Sequence, residues 1–425
     1  MTRAARVAVI GAGWAGLAAA VEAVRRGAHV TLFEMAAQPG GRARDVVSHG
    51  EVLDNGQHIC IGAYSETLRL LRDLGVGEGE AFLRKPLTLV DAAGQGLRLR
   101  RGPTLPAFAW ATLGRTGWPW RDRLALLAVA GRWRRSGFRC APHCTVADLS
   151  ADLPGTVRAD FIEPLCVAAL NTPAAQASGA VFLRVLRDAL TGGPGSADLL
   201  LPRRGLGQLV PEPALAWLRQ AGAAVHLGTR VDAIRPAGPH WVVDSTPVEA
   251  VIVAASANES ARLLAPHAAP WAARAAAFDY QPIVTVYARS SGCRLSEPML
   301  ALRAGPRAPA QFVFDRGQLG GQAGLLAFVV SGAREWVEAG AAATERATLA
   351  QATDQLQRHL TAPLEIVRTL IEKRATFACT PMLDRPPMAV GAGLFACGDY
   401  VEGPYPATLE GAVRSGLAAA RAAAS

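Results

Sequence analysis

The chain has 425 residues, half of them apolar and 19% charged. That is more than one ordinary domain holds, and it points to two or three units sharing cores. The apolar content excludes disorder, and no uninterrupted apolar run approaches the roughly 20 residues a membrane-spanning helix needs. A net charge of +9 arises from 44 basic against 35 acidic residues. No recognition motif accompanies it, so no nucleic-acid partner is expected.

All basic residues but Lys85 and Lys373 are arginine, a balance that suits anionic headgroups, an acidic substrate or simple solubility. The seven cysteines (60, 140, 144, 166, 293, 379 and 397) are scattered and odd in number. Cys140 and Cys144 make half a tetrahedral site that no second Cys/His pair completes, so no metal is expected. Free thiols fit a reducing compartment, and the apolar run at 7–10 leads into glycines, not a cleavage site. These features suggest a cytoplasmic enzyme.

In chain order, Arg6-Val-Ala-Val-Ile10 has the apolar, β-branched character of a buried parallel strand. Gly11-Ala-Gly13-Trp-Ala-Gly16 follows, then a helical run closed by Gly27, then His29-Val-Thr-Leu-Phe-Glu34. This is a complete β–α–β unit with its glycine fingerprint in register. Gly11 makes the tight turn, Gly13 lets backbone approach a pyrophosphate, and Gly16 lets helix and strand pack closely. Glu34, 18 residues beyond Gly16, is placed to accept from ribose hydroxyls. Gln38-Pro-Gly-Gly41-Arg42-Ala-Arg44 then offers glycines and guanidinium groups to the pyrophosphate or ring side of a nucleotide.

The Gly-Gly-Arg stretch after the ribose acid resembles the signature of the amine oxidase and carotene desaturase flavoproteins. That resemblance implies FAD held by an α/β fold, a discontinuous Rossmann-like FAD-binding domain made of 1–60, 200–260 and 376–425. The rest, 61–199 and 261–375, is then an α+β substrate domain of mixed sheet plus helices. Short strand patterns between 225 and 256 read as a meander with a returning buried strand. The resemblance places the backbone of Val231 against the adenine. It also places Gly398, Asp399, Gly411 and Ala412 around the ring and its ribityl arm, where an acid at a strand end and glycines at a helix start are useful.

Residues 110–135 mix Trp110, Trp118, Trp120 and Trp133 with Arg115, Arg121, Arg123, Arg132, Arg134 and Arg135. Two readings stay open: the core of a helical domain, or a surface at a lipid headgroup boundary. Strand patterns at 283–288, 312–314 and 325–330 suggest a sheet walling the substrate cavity.

Flavin amine oxidases resemble one another in an aromatic shortly before the last Glu-Gly-Ala and in a lysine near the flavin. Here Thr408 holds the first place, and only two lysines exist. The stretch from Gly398 to Gly416 is similar to carotene desaturases. Leu53-Asp-Asn-Gly-Gln-His58 followed by Gly-Ala-Tyr64 is similar to the squalene-associated, FAD-dependent hydroxysqualene dehydroxylases of hopanoid synthesis. That resemblance implies reductive loss of an allylic hydroxyl from a polyprenoid, with a phytoene-type desaturase and a flavin amine oxidase as the alternatives. His58, with its useful pKa, is the first expectation for the proton donor. Tyr405 and Glu402 are further catalytic candidates, and Asp54 is expected to fix its loop. No second nucleotide fingerprint is visible, so the reductant, NADPH or an electron-transfer protein, is left open, as is peripheral membrane contact.

Overall fold

The computed structural model describes residues 4–48 and 50–424. Strand β1 (Arg6–Ile10), helix α1 (Trp14–Arg25) and strand β2 (His29–Glu34) form the predicted β–α–β unit. β1 is apolar beyond Arg6 because it sits inside a six-stranded sheet. On one side lie β2 and then β3 (Ala224–Leu227). On the other lie β4 (Ala250–Val253) and the strands Leu394–Ala396 and Ala389–Gly391. Every pairing is parallel except the last.

Both faces of the sheet are covered, so alternate residues of β1 enter different cores. Val7 and Val9 pack with α1, whereas Ala8 and Ile10 pack toward a helical layer. α1 is buried from Trp14 to Ala23 beneath the final helix, Leu409–Ala423, which crosses it closely: a Cβ on Gly416 would lie 2.1 Å from the Ala15 carbonyl oxygen. The expected meander is split. Residues 224–227 follow a helix and pair in parallel with β2, while 234–248 form a separate three-stranded sheet.

A second sheet, antiparallel throughout, comprises β5 (Tyr280–Arg289), β6 (Met299–Ala301), β7 (Phe312–Asp315), β8 (Leu325–Val330) and β9 (Glu365–Phe377) in the order β6-β7-β8-β5-β9. It contains the three strands read from the sequence. Helices α2 (Thr104–Leu113) and α3 (Trp120–Arg135), with Glu163–Leu170 and Gly179–Thr191, build the remaining wall.

The division of the chain at 60/61 and 199/200 cuts a small sheet, because Leu199–Pro202 pairs with both Cys60–Ile61 and Phe82–Lys85. The helix Ser65–Asp73 is likewise tied to the final helix, through Glu410. That carboxylate is fully buried and accepts from the Glu66 and Thr67 backbone N–H groups and the Thr67 hydroxyl, at 2.8–3.1 Å. It caps, from 344 residues away, a helix whose own N-cap residue makes no side-chain capping bond. Glu410→Ala strands those donors, and a loss of about 3 kcal/mol in unfolding free energy is expected by denaturant titration.

Candidate flavin site

A cavity of about 600 Å³ runs between the two sheets. One end is built by the β1–α1 turn. Gly11 has φ +110°, and a Cβ there would lie 2.6 Å from the Ala254 carbonyl; on Gly16 it would lie 1.9 Å from the Gly11 carbonyl. Gly13 has nothing within 4 Å of its missing Cβ and lines the cavity. It is the N-cap of α1, makes no side-chain cap bond, and no acid stands in the first turn. The helix therefore offers N–H groups and the positive end of its dipole to an anion.

Glu34 closes β2 with Oε2 accepting from Ala12 N–H at 2.6 Å and Oε1 from Ala36 N–H at 2.8 Å. Each oxygen keeps a lone pair for a further donor. Val231 lines the same end, and its carbonyl accepts from Arg262.

Toward the middle, Gly41 (φ +60°) brings its backbone against Gly13. Arg42 reaches across the chain to donate to Asp399 Oδ1 at 2.6 Å and to the Ala375 carbonyl at 2.8 Å. Arg42, Gly398, Asp399 and Ala412 all line the cavity. Gly411 does not. Its absent Cβ would lie 1.9 Å from the Tyr405 carbonyl, and its N–H is taken by the Thr408 hydroxyl. Gly411 is thus required by backbone packing at the helix start, not by contact with the cavity.

The three expected catalytic residues separate. His58 stands on the cavity wall, with Nδ1 2.8 Å from the Gly56 carbonyl. Burial, with Arg42 adding to it, pushes its imidazolium below the usual range against the opposing pull of that bond. A neutral ring that donates Nδ1–H to Gly56 presents Nε2 as an acceptor, which runs counter to the expectation of a proton donor. Glu402 is exposed and reaches neither cavity, because the turn at 403–404 directs it to solvent. Tyr405 lies beyond the main cavity, donating to Asp188 at 2.7 Å beneath the Arg414 guanidinium. Burial pushes its phenol up to about 12.

Tyr405 belongs to a second cavity of about 160 Å³, walled by Phe108, Leu126, Trp133, Phe161, Phe182 and Phe312 among others. The cavities share Ile59, Tyr64, Phe312, Thr408 and the helical stretch 168–170. Tyr64 was legible only as part of a motif, yet it sits on this seam with its hydroxyl beside Thr408. Burial holds that phenol well above its usual range, so it remains a hydrogen-bond donor at physiological pH.

Over residues 14–424 the chain matches the family model described as flavin containing amine oxidoreductase. The chain belongs to that family. The flavoprotein is 30% identical to the hydroxysqualene dehydroxylase of Rhodopseudomonas palustris and 27% identical to that of Zymomonas mobilis, in each case over 97% of both chains. Among solved structures it is similar to an oxidoreductase from Methanosarcina mazei, with a TM-score of 0.71 and 14% identity over 97% of this chain and 99% of that one. This flavoprotein is an FAD-dependent oxidoreductase. The cavity fits that cofactor. The open backbone at Gly13 would hold the pyrophosphate, Glu34 and Val231 the adenosine end, and Asp399 the ribityl arm near His58.

Asp54 supports the loop that carries His58. Its Oδ1 accepts from Leu206 N–H at 2.9 Å and its carbonyl from Tyr287 at 3.0 Å. Burial raises its carboxyl from 3.8 to about 6, against the lowering by Arg316 3.6 Å away. A carboxyl raised in the fold holds its proton more tightly there than in the unfolded chain. Its contribution to stability is therefore full below pH 3.8 and lost as pH rises to about 6. Asp54→Asn, which keeps the acceptor for Leu206, is expected to flatten the melting temperature across that window, as followed by thermal scans at stepped pH.

Proposed function

We propose that the protein removes the allylic hydroxyl of hydroxysqualene reductively, giving squalene and water in squalene and hopanoid biosynthesis. The second cavity carries the reading. Its wall is aromatic and aliphatic almost throughout, and it opens on the cofactor cavity at Tyr64 and Thr408. A polyprenoid has little but apolar surface to bury, worth about 25 cal/mol per Å² removed from water. The names of relatives matched along nearly the whole chain support the same substrate.

FAD, when bound and reduced, supplies the hydride equivalent. A proton completes the balance: the C–O bond breaks, a C–H bond forms, and the oxygen leaves as water. The chain's own part is threefold. The apolar wall excludes water that would recapture an allylic cation. Phe161 and Phe312 line the chamber, and aromatic rings there would stabilise such a cation through their negative π density. Tyr64 holds a hydrogen at the departing oxygen where the cavities meet, while His58 Nε2, on the wall of the cofactor cavity, would accept from a donor placed there.

Amine oxidation is disfavoured. Thr408 occupies the place of the caging aromatic, Lys85 pairs with Glu297, and Lys373 is exposed. A desaturase reading shares the apolar cavity but reverses the redox sense, withdrawing hydrogen and needing an electron acceptor. Incubation of purified protein with hydroxysqualene and a reductant, followed by mass spectrometry, is expected to yield squalene. Formation of a more unsaturated polyene without reductant favours the desaturase instead.

A further inference from the structure

The charge of the chain is not spread evenly. Residues 98–147 contain ten arginines (98, 100, 101, 115, 121, 123, 132, 134, 135 and 139) and one acid, Asp122, for a net 10 − 1 = +9. The whole chain also carries +9, from 44 − 35, so the other residues balance at 34 against 34. Asp122 is 1% exposed and answers little of that charge at the surface. Arg100, Arg101, Arg134, Arg135 and Arg139 are exposed and pair with no carboxylate among the described residues.

The same segment holds α2, α3 and the connection between them, and its four tryptophans divide cleanly. Trp118 and Trp133 are buried, whereas Trp110 and Trp120 are 74% and 62% exposed, beside Leu124 at 56%. On α3, Trp120, Leu124, Leu127 and Gly131 recur at helical spacing on one face. Arg121 and Arg132 flank that stripe on one side, Arg123 and Arg134 on the other. The opposite faces of the two helices present Phe108, Leu126, Ala130 and Trp133 to the apolar cavity. One helix diameter, about 10 Å, thus separates exposed indole rings from the chamber behind them.

We propose that the outer face of α2 and α3 docks on an anionic lipid bilayer, with Trp110, Trp120 and Leu124 at the headgroup boundary and the surrounding arginines on lipid phosphates. Indole rings favour that boundary and arginine favours phosphate. No helix among the described residues is long and apolar enough to cross a membrane, so the contact is interfacial. That the chamber takes its cargo from the bilayer rests on the polyprenoid reading above; the docking face itself does not.

The test uses the full-length, FAD-loaded protein and two vesicle preparations, phosphatidylcholine alone or with about a third phosphatidylglycerol. Co-sedimentation with the anionic vesicles is expected, weakening as salt screens the arginines. Arg134→Gln/Arg135→Gln is expected to weaken anionic binding roughly 25-fold, at about fivefold per arginine. Trp110→Ser/Trp120→Ser is expected to weaken it at least tenfold. Both variants should turn over detergent-dispersed hydroxysqualene normally, which separates a failure of docking from a failure of the reaction proposal. Equal affinity for uncharged vesicles, absence of binding to either, or unchanged binding by the tryptophan variant overturns the proposal. So does a dimer in sedimentation velocity that the tryptophan variant dissociates while vesicles go unbound, since the face would then hold a second copy of this chain.

Discussion

Tyr64→Phe is expected to lower the rate of hydroxysqualene turnover about a hundredfold while leaving FAD content and melting temperature near those of the parent. The magnitude is the lower part of what a positioned proton-holding group contributes. The substitution removes one hydroxyl from a ring that keeps its packing, at the seam shared by the cofactor and apolar cavities. Stopped-flow reduction by an artificial donor reports on the cofactor alone and should be unchanged, so the loss appears only with substrate. Glu402→Gln serves as the control. Glu402 is exposed and outside both cavities, and no change in turnover is expected. An unimpaired Tyr64→Phe protein would remove this residue from the chemistry.

Gly16→Ala is expected to give little or no yellow, soluble protein, whereas Gly13→Ala should fold and melt normally but bind FAD at least tenfold more weakly. The added methyl at 16 would meet the Gly11 carbonyl at 1.9 Å. That contact is with backbone at the sheet–helix turn, which cannot move without moving β1. At 13 the methyl meets no protein atom within 4 Å and takes up only open cavity space, where a pyrophosphate would lie. The energetic consequence therefore appears in the first variant as lost folding and in the second as lost affinity. Circular dichroism and flavin released on denaturation separate the two. Normal flavin binding by Gly13→Ala would mean that the pyrophosphate does not lie against that turn.

What was legible in the sequence was whatever local spacing fixes. The turn glycines, the acid at the end of β2 and the strand ending in Gly398-Asp399 are each set by a few adjacent residues, and the structure brings them to one cavity. Contacts across the chain were not legible. Glu410 stands next to Gly411 and Ala412, both expected at the flavin, yet it caps a helix 344 residues away, and nothing in its own neighbourhood signals that. Tyr64 could be quoted as motif without showing that it stands between two cavities, because that depends on where the helix Glu163–Leu170 and β7 pack. Glu402 illustrates the converse: proximity in sequence to two site motifs says little when a Gly-Pro turn directs the side chain outward. The tryptophans of 110–135 offered two readings because each described half of them. Helix phase turns Trp133 inward and Trp120 outward, while Trp118 is buried in the connection between α2 and α3, where no helical phase applies.

On the proposed reaction, one chain holds its flavin against an apolar chamber and uses it to replace a polyprenoid hydroxyl by hydrogen. An anaerobic single-turnover experiment tests this most directly, mixing the fully reduced protein with excess hydroxysqualene. The oxidised visible spectrum is expected to return in step with squalene, one molecule formed per flavin. A spectrum that stays reduced, or squalene that appears without oxidation of the protein, would contradict it.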